Sequence, residues 1–280
     1  MSASGPEFVE FGGHTLCVEV RCGGRLFIVD GGSGLSALGQ HLGSSAPLDV
    51  DLLLSHLHLD HVMGLPFFKP AVLGEERVIR TFCGHLGGAS AGEAMERLFA
   101  PPLFPLALAD LPVRFEHHGF RAGETLTFAD GVKVETHPLN HPGGATGYRF
   151  RHGASSVCYL ADLEHTDPWP DPGLVTFVAG ADLVIYDGMF AESEYLCCKG
   201  WGHSTWGKGV ELCRAADVKA LGIVHHCPGH TDSDLREMEA ALRAAMPTAF
   251  LARERQTLAF RAGRAPAVAG SADTAKVPAE

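Results

Sequence analysis

Three imidazoles and a carboxylate fall within six residues in His56-Leu57-His58-Leu59-Asp60-His61. The run follows the apolar stretch Val50–Leu54, where a buried strand should end. Side chains two apart on an extended chain point the same way, so His56 and His58 can reach one point in space. Asp60 and His61 come just after the turn and can face a second point beside it. Imidazole together with carboxylate suits Zn²⁺, Mn²⁺ or Fe. A structural zinc is usually closed by cysteines, so the spacing reads as a two-metal hydrolytic site.

Other residues with the right chemistry stand at the ends of predicted strands. His141 lies in the turn Leu139-Asn-His-Pro-Gly-Gly-Ala-Thr-Gly-Tyr148, just before a strand. Asp162 ends Val157-Cys-Tyr-Leu-Ala-Asp162, and His225 ends Leu221-Gly-Ile-Val-His225. A group at the end of a buried strand is held rigidly yet opens toward a cleft. Each alone is a weak signal, because a single strand-end histidine is more often a satisfied surface or core residue. Their joint order with the first motif carries the inference.

Several elements must position these groups. Strand-like runs at Leu16–Val20 and Arg25–Asp30 flank Cys22-Gly23-Gly24, a hairpin signal. A helix is expected near Leu35–Leu42, and Asp51–Ser55 is the strand carrying the first motif. Residues 64–112 are mixed, broken by Pro66, Pro70 and Pro101-Pro102, with a helix over Ala91–Phe99. Strands are expected at Thr125–Phe128, Lys133–His137, Ala145–Arg151, Ser156–Ala161 and Leu183–Asp187. Then come a helix over Thr205–Ala216, a strand over Ala220–His225, a helix over Ser233–Ala245 and a strand over Thr257–Arg261. Meanders first and intervening helices later predict an α+β, or mixed α/β, sandwich in one domain over 1–263. Residues 264–280 are small, polar and proline-containing, and are read as a disordered tail.

Composition sets the outer limits. A chain of 280 residues, 46% hydrophobic and 20% charged, has the make-up of a soluble globular protein. No apolar run is long enough to span a membrane, and the N-terminus lacks the basic start and apolar core of a signal peptide. A cytoplasmic location is therefore expected. The eight cysteines form no CxxC motif and are read mostly as buried small apolar residues. The net charge of −11 argues against broad binding to a nucleic-acid polymer. A small anionic substrate is compatible with it, because bound metals supply local positive charge.

The ligand order resembles that of the metallo-β-lactamase superfamily, over about residues 8–262. His56-x-His58-x-Asp60-His61 looks like that family's signature loop. His141 matches its third histidine, Asp162 its bridging aspartate and His225 its last histidine. The resemblance implies a four-layer αββα sandwich with two divalent metals, Zn²⁺ first among Zn²⁺, Mn²⁺ and Fe. His56, His58 and His141 would hold one metal, and Asp60, His61 and His225 the other, with Asp162 bridging. Such sites hold metals roughly 3.5–4 Å apart and activate a shared water as hydroxide for attack at phosphorus.

Gly202-His203-Ser204-Thr205, a following helix and the strand ending at His225 are similar to the phosphodiesterase branch. That branch includes the tRNA 3′-processing endonuclease (RNase Z) and bacterial cyclic-phosphodiester hydrolases. There a histidine in a His-x-Thr motif contacts the phosphate and can protonate the leaving oxygen, and His203 matches it. An earlier carboxylate orients that histidine, and Asp187, ending Leu183-Val-Ile-Tyr-Asp187, is the best match. His203, Asp60 and Asp187 thus form the expected catalytic group, Asp60 also counting among the ligands. Members of the branch are often dimers, which implies a homodimer.

The chain also departs from that pattern. His225-His226-Cys227-Pro228 replaces the histidine-aromatic-serine run of the tRNA enzyme, and His226 stands as an alternative last ligand. No glycine-rich basic arm of the kind that docks tRNA is evident. The expected substrate is therefore a cyclic nucleotide or related small cyclic phosphodiester. The alternatives are a lactone, thioester or β-lactam hydrolase, tRNA processing, or a metal-binding scaffold without turnover. Pro142-Gly143-Gly144 could allow close approach of a substrate or simply make a tight turn. His117, His118, His137, His152, His165 and His230 read mostly as surface residues. His85 is a weak candidate for substrate contact. Trp201, Trp206, Phe67 and Phe68 could stack on a base, with core packing at least as good a reading.

Overall fold

Backbone hydrogen bonds join the short β-branched and apolar runs into two main sheets, of five and seven strands. The computed structural model describes residues 2–43, 49–73, 78–84, 90–128, 131–260 and 266–268. The chain divides into two compact units, residues 1–2 with 14–122 and residues 3–13 with 123–280.

In the first unit, β1 (Val18–Cys22) and β2 (Arg25–Val29) form the expected hairpin. Cys22 pairs with Arg25, and Gly23 and Gly24 take φ values of 56° and 72°. Two positive φ angles make the type I′ turn that matches strand twist. There follow α1 (Gly34–Leu42), β3 (Val50–Leu54), α2 (Leu59–Val62), α3 (Lys69–Leu73), β4 (Val78–Cys83), α4 (Ala91–Leu98) and β5 (Arg114–Gly119). The sheet order is β1-β2-β3-β4-β5, and β2 to β5 are parallel. Alternate side chains Leu26, Ile28, Leu52, Leu54 and Ile79 bury against Leu35 of α1, Ala71 of α3 and Met95 of α4. That period of two is what a half-covered strand requires.

The second unit contains β6 (Thr125–Thr127), β7 (Lys133–Leu139), β8 (Ala145–His152), β9 (Ser155–Leu160), α5 (Pro172–Val178), β10 (Leu183–Asp187) and α6 (Glu192–Cys198). It continues with α7 (Trp206–Ala215), β11 (Leu221–Val224), α8 (Asp232–Ala245), β12 (Ala249–Leu251), β13 (Leu258–Ala259) and β14 (Ala267–Val268). Its seven-stranded sheet runs β12-β11-β10-β9-β8-β7-β6. The four strands β9 to β12 are parallel, and the remainder form an antiparallel meander. Cys158, Leu160, Val184, Tyr186, Leu221 and Ile223 pack with Leu174 of α5, Val210 of α7 and Leu235 of α8. The α+β class expected from the sequence is found.

Several elements were not expected. β4 lies in the proline-broken region read as mixed, and β5 is largely exposed, so it lacks a clear apolar alternation. α5 is capped by Asp171, whose carboxylate accepts the Leu174 N–H at 2.8 Å, with a proline in the first turn. α6 and the three-residue β12 are too short for periodicity to declare them. Of the segment read as a disordered tail, Ala267–Val268 pairs antiparallel with Leu258–Ala259, and most of the rest lies outside the described residues. Cys83, Cys158 and Cys213 are buried and Cys197 is exposed, so burial accounts for fewer cysteines than expected. Among the described residues no helix is long and apolar enough to cross a membrane.

Candidate active site

In the first unit, β2 and β3 run side by side in register, Val29 beside Leu53. The residue after β2 is Asp30, and the two after β3 are Ser55 and His56. Asp30 takes φ 61°, a left-handed conformation that costs a non-glycine residue about 1–2 kcal/mol. Its N–H still donates to the Leu53 carbonyl at 2.9 Å. Its fully buried carboxylate accepts the Ser55 N–H at 2.7 Å, the Ser55 hydroxyl at 2.8 Å and His61 Nδ1–H at 2.8 Å. A carboxylate only accepts here, so His61 carries its proton on Nδ1, and Nε2 is the lone-pair nitrogen. The His56 ring lies 4.4 Å from that of His58 and 4.3 Å from that of His61. His58 caps α2, and the first turn of that helix places Asp60 Oδ2 3.9 Å from His61 Nε2. Asp30 escaped the sequence reading. Its signal was a carboxylate before Gly31-Gly32 at the end of an apolar run.

In the second unit, the parallel register sets Tyr186 beside Leu160 and Asp187 beside Val224. The carboxyl ends of β9, β10 and β11 therefore lie at one edge, where Asp162, Asp187 and His225 emerge. Asp162 and His225 have φ 57° and 62°. Left-handed backbone at non-glycine residues is the kind of strain that clusters at functional sites. Asp162 Oδ2 is 3.7 Å from His141 Nε2, and its Oδ1 is 3.3 Å from His225 Nε2. One carboxylate thus presents a different oxygen to each of two imidazoles. Ligand-capable atoms of Asp162, Asp187, His203 and His225 lie within 4.8 Å of one another.

His203 donates from Nδ1 to Asp187 Oδ2 at 2.8 Å, and Asp187 is fully buried. The His203 ring stacks on His225, with centroids 4.7 Å apart and planes at 27°. Asp187 is further fixed by the Leu163 N–H at 3.3 Å on Oδ2 and the Met189 N–H at 3.1 Å on Oδ1. The two histidines left open as last ligand have different surroundings. His226 donates from Nε2 to the Ala252 carbonyl at 3.0 Å and packs its ring edge on Phe11. Burial holds its pKa down at about 4. His225 is the one beside Asp162.

A second buried carboxylate, Glu164, was not singled out from the sequence. Burial would raise its pKa, but the amides of Gly200 and Gly202 and the Tyr195 hydroxyl hold it below the ordinary carboxylate value. It lines a cavity of about 400 Å³ with Asn140, His141, Pro142, Lys199 and Gly200. His165 and His230 are not the bland surface residues expected. His165 Nδ1 pairs with the Ser204 hydroxyl at 2.9 Å, and His230 Nε2 with Glu194 at 2.9 Å. His117 pairs with Thr81, and His137 stacks on Phe177. Phe68 is core, Trp206 packs against the core, and Phe67 and Trp201 are exposed. His85 lies outside the described residues.

Imidazole nitrogens and carboxylate oxygens make up the donor set in both units, which fits borderline divalent ions. His61 is fixed by Asp30, and His141 by a backbone carbonyl, the outer partners that metal-binding imidazoles require.

Residues 27–226 match the beta-lactamase superfamily domain. The chain is 28% identical over 256 residues to a Ribonuclease Z of Porphyromonas gingivalis, covering 74% of this chain and 81% of the relative. It is similar in structure to the metallo-beta-lactamase fold protein YhfI from Bacillus subtilis, with TM-score 0.63 and 19% identity over 90% of this chain and 93% of the other. A diphosphatase of the PhnP family has TM-score 0.59 and 16% identity, over 88% and 84% of the two chains.

Proposed function

The chain belongs to the beta-lactamase superfamily, as a metal-dependent hydrolase with the metallo-β-lactamase fold, and from that premise we propose that it cleaves a phosphodiester, a cyclic nucleotide or related small cyclic phosphodiester. The observation that carries this reading is the His203–Asp187 couple beside His225 and Asp162. An alkoxide leaving group needs a proton, and a carboxylate-bound imidazole at the site can supply one. A carbonyl substrate such as a lactone has no phosphate for His203 to contact.

His56, His58 and His141 are proposed to hold one divalent ion, and Asp60, His61 and His225 the other, with Asp162 shared. Zinc is the proposed metal. Bound ions of this kind neutralise phosphate charge and make water more acidic. Asp30 holds His61 with Nε2 ready to ligate, and the Gly202 carbonyl does the same for His141. Asp187 keeps a proton on His203 Nδ1 and fixes the ring, so that a proton carried on Nε2 faces the leaving oxygen. Asp60 completes the proposed catalytic group and would also serve as a metal ligand.

A second reading, tRNA 3′ processing, is favoured by the relative named Ribonuclease Z. A net charge of −11 weighs against it, because a long polyanion needs a neutralising surface. The proposal includes a cytoplasmic homodimer, for which sedimentation should give twice the 29.7 kDa chain mass.

The test is a zinc- or manganese-loaded screen against cyclic nucleotides, linear phosphodiesters, a precursor tRNA and a lactone. Turnover of the cyclic esters should dominate. His203→Ala should lower it by roughly 10²–10⁴-fold for a ribose leaving group and far less for a nitrophenolate. Preferential turnover of the lactone or the precursor tRNA would replace this reading.

A further inference from the structure

Glu164 follows β9 and Asp162, and its side chain reaches into the loop between α6 and α7. Its Oε1 accepts the Gly200 N–H at 2.7 Å and the Tyr195 hydroxyl at 2.9 Å, and its Oε2 accepts the Gly202 N–H at 2.9 Å. Its own backbone is tied to the turn that carries His141. The Glu164 N–H donates to the Asn140 carbonyl at 2.9 Å, and Asn140 Nδ2 donates to the Glu164 carbonyl at 3.0 Å. One residue therefore joins three segments, those bearing His141, Asp162 and His203.

The link to His141 runs through a single residue, Gly202. The Gly202 N–H is held by Glu164, and the Gly202 carbonyl accepts His141 Nδ1–H at 2.9 Å. A carbonyl cannot donate, so this bond fixes the His141 proton on Nδ1 and makes Nε2 the nitrogen facing Asp162. The residue at 202 must be glycine for this approach. Its φ is 91°, and a Cβ there would fall 2.2 Å from His141 Nδ1 and 2.4 Å from Pro142 Cδ. The next residue in the loop is His203.

We propose that Glu164 is a positioning residue, which holds the backbone of Gly202 so that His141 presents Nε2 for metal and His203 is held against Asp187. The proposal rests on the metal-ligand role read above for His141, but its decisive measurements use no substrate.

Glu164→Gln tests it. A glutamine keeps one acceptor oxygen and places an N–H₂ against either Gly202 or the Gly200–Tyr195 pair, so at least one donor is left facing a donor. In metal-free protein, nitrogen-15 NMR of the histidines should show His141 as the Nδ1–H tautomer in the wild type and as a mixture in the variant. Zinc affinity, measured by competition with a chromogenic chelator, should fall 10–100-fold, as for other outer partners of metal ligands. Tyr195→Phe removes one donor without touching the Gly202 peptide, and it should keep the tautomer and hold zinc affinity within about threefold. If Glu164→Gln does not fold, Glu164→Asp, too short to reach both amides, takes its place with the same expected readouts. An unchanged tautomer and affinity in the glutamate variant would overturn the proposal. So would an equal loss in Tyr195→Phe, which would mean that general loosening of α6 sets the affinity. Absence of phosphodiester turnover in the wild type would instead strike the functional reading and leave these two measurements decisive.

Discussion

Asp187→Asn discriminates between two roles for the His203–Asp187 pair, and the structure fixes how large the loss should be. Asp187 Oδ2 serves two donors, His203 Nδ1–H at 2.8 Å and the Leu163 N–H at 3.3 Å, whereas Oδ1 serves only the Met189 N–H at 3.1 Å. An asparagine retains one acceptor oxygen. Turned toward His203 it keeps two bonds and sets its N–H₂ against Met189. Turned the other way it keeps one bond and sets its N–H₂ against two sites. The first orientation wins by about one hydrogen bond, or roughly 1 kcal/mol. His203 therefore keeps its Nδ1 proton, and what is lost is the carboxylate charge. A hydrogen bond to a charged group contributes about 1–1.5 kcal/mol more than a neutral one, which is near tenfold in rate. This is well short of the roughly 10⁴-fold fall expected when the ring is forced into the wrong tautomer. The assay is kcat/KM of zinc-loaded protein on paired phosphodiesters with ribose-type and nitrophenolate leaving groups. The loss should be about tenfold for the first and under about twofold for the second. Equal losses on both would refute the proton-donor argument. Loss of bound zinc together with a fall beyond 10⁴ would make Asp187 a ligand instead.

Gly202→Ala should lower stability by at least about 2 kcal/mol in denaturant unfolding and reduce zinc binding, because left-handed strain adds to the clash with His141 and Pro142. An alanine variant of wild-type stability would contradict the peptide orientation described here. Glu239 is held by Arg253 at 2.9 and 3.1 Å, and Arg253 lies 4.1 Å over the Phe11 ring. Burial raises the Glu239 pKa, but the Arg253 bonds and charge, the Leu251 amide and the Arg243 charge together bring the group below its ordinary 4.5. A carboxyl depressed on folding stabilises fully above its unfolded pKa and loses that contribution as pH falls. Glu239→Gln should therefore cost about 1 kcal/mol at pH 7, and the gap should close below about pH 4. A gap that persists at pH 3 would assign the effect to packing.

The His56–His61 loop was legible because its imidazoles and carboxylate are neighbours in sequence, and local chain geometry alone brings them together. Asp162, Asp187 and His225 were legible as strand ends, since an apolar run followed by a polar group marks where burial stops. β4 and β5 were not, because proline breakers obscure one side of that region and exposure removes the alternation on the other.

The sequence by itself determined which residue types were present for hydrolysis and the order in which they occur. Only the tertiary structure decided how they pair. Parallel register, with Asp187 beside Val224 and Tyr186 beside Leu160, is what places His225 rather than His226 next to Asp162. Asp30 and Glu164 gained their roles from partners 31 and 38 residues away in the chain. Hydrogen bonds over such separations depend on strand register and loop closure, which no local pattern of residue types encodes.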